Sequence, residues 1–256
     1  MSGLRDVGYR GIVVLAKTGF RALDQQISMA GTERVPRTGG VLLAVNHISY
    51  VDFVYGGLAA NPSGRLVRFM AKRELFDHRV SGPLMRSMRH IRVDRADGVE
   101  SFQVALDYLR AGEAVGIFPE ATISRSFEIK ALKSGAVRLA AEAGVPLVPV
   151  VVWGTQRMLT KDHPRDLTRG RAITIRVGEP WRPSGAEPVA ETASLHARMS
   201  ALLGEAIAAH PAAEQPPGSW WLPASAGGSA PTLEEAERLD AEERRARAAR
   251  RAAKRR

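Results

Sequence analysis

The chain has 256 residues, of which 45% are hydrophobic and 25% charged, with a net charge of +10 and no cysteine. That length supports one sizeable core plus an extension, and the missing cysteines exclude disulfides, thiolate metal sites and covalent thiol catalysis. Eight of the ten net charges fall between Arg244 and Arg256, which leaves about +2 on the body. The basicity is therefore a property of the tail and argues only weakly for nucleic-acid binding by the folded part.

Residues 1–30 form the first segment. The run 11–16 is short for a signal-peptide core, and Arg10 and Lys17 bracket it, so no export signal is expected. No window approaches the roughly 18 apolar residues of a membrane span. Residues 8–30 read as amphipathic helix, with Ile12, Leu15, Phe20 and Leu23 on one face and Arg10, Lys17 and Arg21 at its polar margin. Such a helix lies on a membrane interface or packs on the core.

Residues 31–210 alternate short apolar runs with helical patterns. Runs 41–45, 65–71, 90–93, 114–118, 146–153 and 172–177 read as strands. Helices are expected over 101–112, opened by Ser101 and closed by Gly112, over 130–144, closed by Gly144, and over 195–210. The alternation implies an α/β layered sheet flanked by helices. Residues 211–231, rich in Pro, Gly and Ala, read as a flexible linker. Residues 232–256 open on a capping-box spacing, Thr232 and Glu235, and run from acids to bases. They lack an apolar face, so a solvated, partly helical basic tail is expected. It is either a bare extension or an adhesive for anionic lipid or RNA.

Four stretches carry candidate chemistry. In NHISYVD (46–52), Ser49 and Asp52 have capping-box spacing, which would make His47 loop filler. The alternative pairs His47, just past a buried strand, with Asp52 in the first helical turn. The carboxylate would then fix the imidazole tautomer and steady its cation. With no cysteine and no G-x-S-x-G elbow, the simplest task for such a base is to take a proton from a substrate hydroxyl. FPEATISRS (118–126) gathers Glu120, Thr122, Ser124 and Arg125 after a strand, as polar βα loops also do. Asp94 and Arg95 end the strand HIRV as a phosphate clamp or a surface ion pair. Lys72, in FMAKREL, is a ligand or a solvated lysine. The histidines form no close cluster, so no metal is expected.

In this order the motifs resemble those of the glycerolipid acyltransferase family, the 1-acylglycerol-3-phosphate acyltransferases and their relatives. N-H-x-S-x-x-D is matched by Asn46, His47, Ser49 and Asp52. The D-R pair is matched by Asp94 and Arg95, and F-P-E-G-T-R by Phe118, Pro119, Glu120 and Thr122. V-P-φ-φ-P-V is matched by Val145, Pro146, Pro149 and Val150. The resemblance implies an α/β domain behind N-terminal helices that meet the membrane. It implies His47 as general base, Asp52 as its orienting partner, and Arg95, Glu120 and Thr122 around the acceptor phosphate. It also implies acyl-CoA or acyl carrier protein as co-substrate with no cofactor, a membrane-lipid acceptor, and a peripheral position on the cytoplasmic face of the cell membrane. The chain departs from the pattern at Ala121 and Arg89, where glycines are expected, and at Ile123, where arginine is expected. Arg125 or Arg92 would have to supply the missing charge. The competing readings are acylation of another lipid or glycolipid hydroxyl and, from a different class, a basic-tailed nucleic-acid-binding protein.

Overall fold

The computed structural model describes residues 6–94 and 98–253. The amphipathic N-terminus forms one helix, α1 (Val7–Ala22), and then strand β1 (Gln26–Ala30). Between them Asp24 has φ 50°, a left-handed conformation that aspartate tolerates and that ends the helix. The helix expected to reach residue 30 therefore stops early, because 26–30 finds a sheet edge. The six runs expected as strands are β2 (Val41–Val45), β3 (Val67–Lys72), β4 (Ile91–Val93), β5 (Ala114–Ile117), β6 (Leu147–Trp153) and β7 (Ala172–Val177). The expected helices are α5 (Gly98–Arg110), α6 (Gly135–Ala143) and α7 (Pro188–Ala209); residues 130–134, expected in the second, are loop, and the third starts earlier than expected. Helices α2 (Asp52–Ala59), α3 (Arg73–Asp77) and α4 (Ser81–Ser87) join the strands, and α8 (Leu233–Ala253) ends the described chain.

The strands form one sheet in the order β1-β7-β6-β2-β5-β3-β4. Strands β6, β2, β5, β3 and β4 run parallel, while β7 is antiparallel to β6 and parallel to β1. Every residue of β2 and of β6 is buried. This is why they read as unbroken apolar runs rather than as alternation: both faces of a parallel sheet are covered. Leu42, Val151 and Trp153 pack with Leu106, Leu109, Val137, Leu195 and Met199 of α5, α6 and α7. On the other face Leu43, Val45, Val150 and Val152 pack with Tyr55 and Ala59 of α2 and with Phe20 and Leu23.

Helix α1 is anchored to this second face. Asp6 and the fully buried Arg68 pair at 2.6 Å, and Tyr9 Oη donates to the Val67 carbonyl at 2.8 Å. Ile12 and Phe20 turn inward, whereas Leu15, expected on the same face, is 71% exposed.

Residues 211–231 are not a free linker. Leu222 and Ala230 are buried in the core, Trp220 and Trp221 pack against it, Trp220 stacks on His163 at 3.7 Å, and Gln156 Nε2 donates to the Trp221 carbonyl. Two indoles carry enough apolar surface to dock a segment that its Pro and Gly content marks as loop. The tail is helical as expected and its capping box forms, with Glu235 N donating to Thr232 Oγ1 at 3.2 Å. It is not free in solvent, however: Ala236 and Asp240 are buried against the domain.

Candidate active site

The parallel strands deliver the motifs to one edge of the sheet. His47 follows β2, Glu120 follows β5 and Thr155 follows β6, and β5, β2 and β6 are neighbours. Lys72 and Asp94 stand at the same end of β3 and β4. The carboxyl edge is where open α/β sheets hold ligands, because the loops there are free to vary while the strands fix their origins.

Asp52 is fully buried and is the hub. Its Oδ2 accepts from the backbone N–H groups of Ile48 and Ser49, both at 2.7 Å, and lies 3.1 Å from His47 Nδ1. Its Oδ1 accepts from Thr155 Oγ1 at 2.6 Å. A carboxylate only accepts, so the imidazole carries its hydrogen on Nδ1 and turns the lone pair of Nε2 outward. The imidazole side is partly open, with His47 20% exposed at the side chain against 0% for Asp52. That is the arrangement of a base with its orienting acid.

Of the two sequence readings of NHISYVD, the pairing of His47 with Asp52 forms, whereas the helix starts at Asp52 with Val51 at its N-cap and keeps only one contact of the capping box. Asp52 reaches back to Ser49 N as a capping carboxylate does, and it also holds His47. The other half of the capping box does not form: Ser49 Oγ donates to the Leu159 carbonyl at 2.6 Å and accepts from Val51 N. Asn46 Nδ2 donates to the Val152 carbonyl while Oδ1 accepts from Val152 N at 2.7 Å, stitching the loop to β6.

Glu120 is also buried. Its Oε1 accepts from His47 N at 2.8 Å and its Oε2 from Lys130 N at 3.2 Å. Burial pushes this carboxyl up to about 8, against the two N–H donors and the nearby Lys130, which favour the carboxylate. Glu120 thus braces the backbone of the histidine loop against that of Lys130. Phe118 stacks on the His47 ring at 4.2 Å and on Phe69 at 5.5 Å. Phe69 lies across Gly116, where an added Cβ would meet the ring at 2.5 Å, so the glycine makes room for the stack.

The positions that depart from the motif have a structural signature. Ala121 has φ 61° and Arg89 φ 55°, so both residues standing where glycine is expected take the left-handed conformation. For a residue with a Cβ this costs about 1–2 kcal/mol. Ile123, in place of the expected arginine, is buried. Thr122 Oγ1 accepts from Lys130 Nζ. Arg125 turns to α8 and Asp162, pairing with Asp162 at 2.7 Å, with Asp240, and with Glu243 at 3.1 Å. Lys72 is exposed, and Asp94 pairs with Arg73 at 2.9 Å. Arg95 lies outside the described residues. Sequence reasoning missed Thr155, Lys130 and Lys161. Each is brought in by the tertiary fold from an unremarkable stretch.

The fold defines an α/β domain whose sheet edge carries a buried aspartate paired with a partly open histidine. The chain belongs to the Acyltransferase family, whose model matches residues 26–153. It is 29% identical over 184 residues to the 1-acyl-sn-glycerol-3-phosphate acyltransferase of Bacillus subtilis, covering 69% of this chain and 87% of that one. It is 29% identical over 143 residues to the enzyme of the same name from Borreliella burgdorferi, covering 54% of this chain and 55% of that relative. A crystal structure of the 1-acyl-sn-glycerophosphate acyltransferase of Thermotoga maritima superposes with a TM-score of 0.62 at 22% identity, covering 77% and 78% of the two chains. The last comparison shows a shared fold.

Proposed function

We propose that the chain transfers a fatty acyl group from an acyl thioester to the free hydroxyl of 1-acylglycerol 3-phosphate, or of glycerol 3-phosphate, giving phosphatidic acid or its monoacyl precursor. The observation that carries this is the His47–Asp52 pair, bonded through Nδ1 with the imidazole partly open to solvent, in a chain of the Acyltransferase family. Nε2 takes the hydroxyl proton as the oxygen attacks the thioester carbonyl. The tetrahedral intermediate then collapses, the C–S bond breaks, and the thiolate leaves with the proton from the imidazolium. Asp52 steadies the imidazolium between the two steps.

An apolar groove supports a long acyl chain. Tyr9, Ile12 and Phe20 of α1 face Phe53, Leu58 and Leu84 across a groove open to solvent. Phe53, Val54 and Leu58 of α2, the helix that Asp52 opens, line the groove. Apolar side chains stand exposed on the same helices: Val7, Val14 and Leu15 on α1, Val80 and Leu84 at α4. Among the described residues no helix is long and apolar enough to cross a membrane. We read these exposed residues as a peripheral contact with the acyl region of a bilayer, on the cytoplasmic face where acyl-CoA or acyl carrier protein is found, with the basic tail near anionic headgroups.

The test uses purified full-length protein, palmitoyl-coenzyme A and two acceptors in parallel, glycerol 3-phosphate and 1-acylglycerol 3-phosphate. Thiol release and product mass are followed. Transfer to either acceptor, abolished in His47→Ala, is expected. Thioester consumption with neither acceptor, but with another lipid or glycolipid alcohol, would reassign the acceptor.

A further inference from the structure

Arg125, Lys130 and Lys161 come from two loops, and both loops are bonded to the catalytic histidine's own. Ser124 N donates to the His47 carbonyl at 2.7 Å, and Thr160 Oγ1 donates to the Ile48 carbonyl at 2.7 Å. Glu120 bridges the backbones of His47 and Lys130. The three cations are thus fixed to the same frame as the dyad. They converge on one carboxylate of α8. Asp240 Oδ2 accepts from Lys130 Nζ at 2.8 Å, and its Oδ1 accepts from Lys161 Nζ at 3.2 Å and from Arg125. Glu243, one turn on, accepts from Arg125 and Lys161, both at 3.1 Å. The cation side chains are only 9–13% exposed beneath it.

Among the described side chains of α8, little apolar surface is buried, with Leu239 and Ala241 half-buried. Among its described side chains only Ala236 and Asp240 are buried, and Leu233 is 39% exposed. A helix attached more by ions than by apolar area is exchangeable with an anion of the same charge. Asp240 and Glu243 together present two negative charges. A phosphomonoester carries about −1.5 to −2 near neutral pH, with three acceptor oxygens for three donors.

We propose that Arg125, Lys130 and Lys161 form a binding site for the phosphomonoester of the acceptor, and that Asp240 and Glu243 of α8 occupy this site until the phosphate displaces them. The inference rests on the acyl-acceptor reading above. It adds the residues that hold the phosphate and a competing carboxylate pair within the chain.

The experiment is hydrogen exchange of residues 233–246 in the full chain, with glycerol 3-phosphate, with inorganic phosphate, with glycerol at matched ionic strength, and with phosphatidylcholine vesicles containing 1-acylglycerol 3-phosphate. Release of α8 by glycerol 3-phosphate and not by glycerol is expected. Release by inorganic phosphate as well assigns the site to phosphate in free form, and release by the vesicles alone assigns it to the lipid headgroup. Unchanged exchange in all four arms overturns the proposal. In Asp240→Asn/Glu243→Gln the acceptor KM is expected to fall about tenfold, the size of one charge-assisted contact, with the acyl-CoA KM unchanged. In Lys161→Ala the acceptor KM is expected to rise. An acceptor KM unmoved in both variants, each with wild-type thermal unfolding, also overturns it. The exchange readout needs no turnover. A protein that releases α8 to phosphate yet transfers no acyl group defeats the proposed reaction, and an active enzyme whose α8 ignores phosphate defeats this site alone.

Discussion

Asp52 and Asp240 are both buried carboxylates surrounded by donors, and they are held in opposite ways. Asp52 is met mainly by neutral dipoles, two of them backbone N–H groups within four residues, with one hydroxyl and one imidazole. Asp240 is met by three long cationic side chains that lie 79 to 115 residues away in sequence. Fixed dipoles lose nothing by being ordered and are not screened by salt. Lysine and arginine side chains lose rotamer freedom when they pair, and water and ions compete for them. The first carboxylate is built to stay and orient a ring, the second to be exchanged.

The largest effect is expected at the ring itself. His47→Ala should lower turnover by at least ~10²-fold, the lower end for loss of a general base, in a protein whose thermal unfolding is unchanged. Retained activity would remove the base from the mechanism. Asp52→Asn should cost at least ~10-fold in turnover, since an amide can present its N–H₂ to Nδ1 and favour the wrong tautomer. It should also cost about 1–3 kcal/mol of stability, because two buried N–H groups lose a charged acceptor. A stability loss without a rate loss, read by urea unfolding beside turnover, would reduce Asp52 to a helix cap.

The contrast sharpens with salt. Raising sodium chloride through the range in which the Debye length falls from about 10 to about 3 Å should speed hydrogen exchange in α8 while leaving α2 protected. Equal responses in the two helices would erase the distinction between the two carboxylates.

Glu120 supplies a pH test. Its folded-state carboxyl is raised to about 8 by burial, above the ordinary range near 4.3. The folded protein therefore binds a proton there more tightly than the unfolded chain does. That contribution to stability is complete below pH ~4.3 and is lost as pH rises through about 8. Glu120→Gln should remove this dependence. Denaturation of the two proteins across pH 5 to 9 should show the wild type losing ground to the variant as pH rises, and parallel curves would refute the assignment.

The smallest effect is at Ala121. Its φ of 61° favours glycine. Ala121→Gly should stabilise by about 0.5–1 kcal/mol, the strain relieved less the extra freedom glycine brings to the unfolded chain. A drop in the unfolding temperature would show that the methyl group packs usefully.

Much of the fold was legible in the sequence because burial imposes a pattern on it. Strands β2 and β6 are covered on both faces and so read as continuous apolar runs, and α5 and α7 show their packed faces at helical spacing. Strand β1 was not legible: four of its five residues, Gln26, Ser28, Met29 and Ala30, are exposed, so burial imposes no strand pattern, and it is a strand because β7 offers an edge. The dyad was legible because its two members lie five residues apart, and local geometry alone brings them together.

What the sequence determined by itself was therefore whatever depends on nearby residues: six of the seven strands, the helices α5, α6 and α7, a spacing that lets His47 meet Asp52, and the capping box of α8. Only the tertiary structure decided that Thr155 completes Asp52, that Glu120 supports the histidine loop from behind, that two tryptophans dock residues 211–231, and that Arg125, Lys130 and Lys161 meet on Asp240. Those contacts join residues far apart in the chain. Their partners are chosen by which strand ends lie side by side in the sheet, and no local pattern records that order.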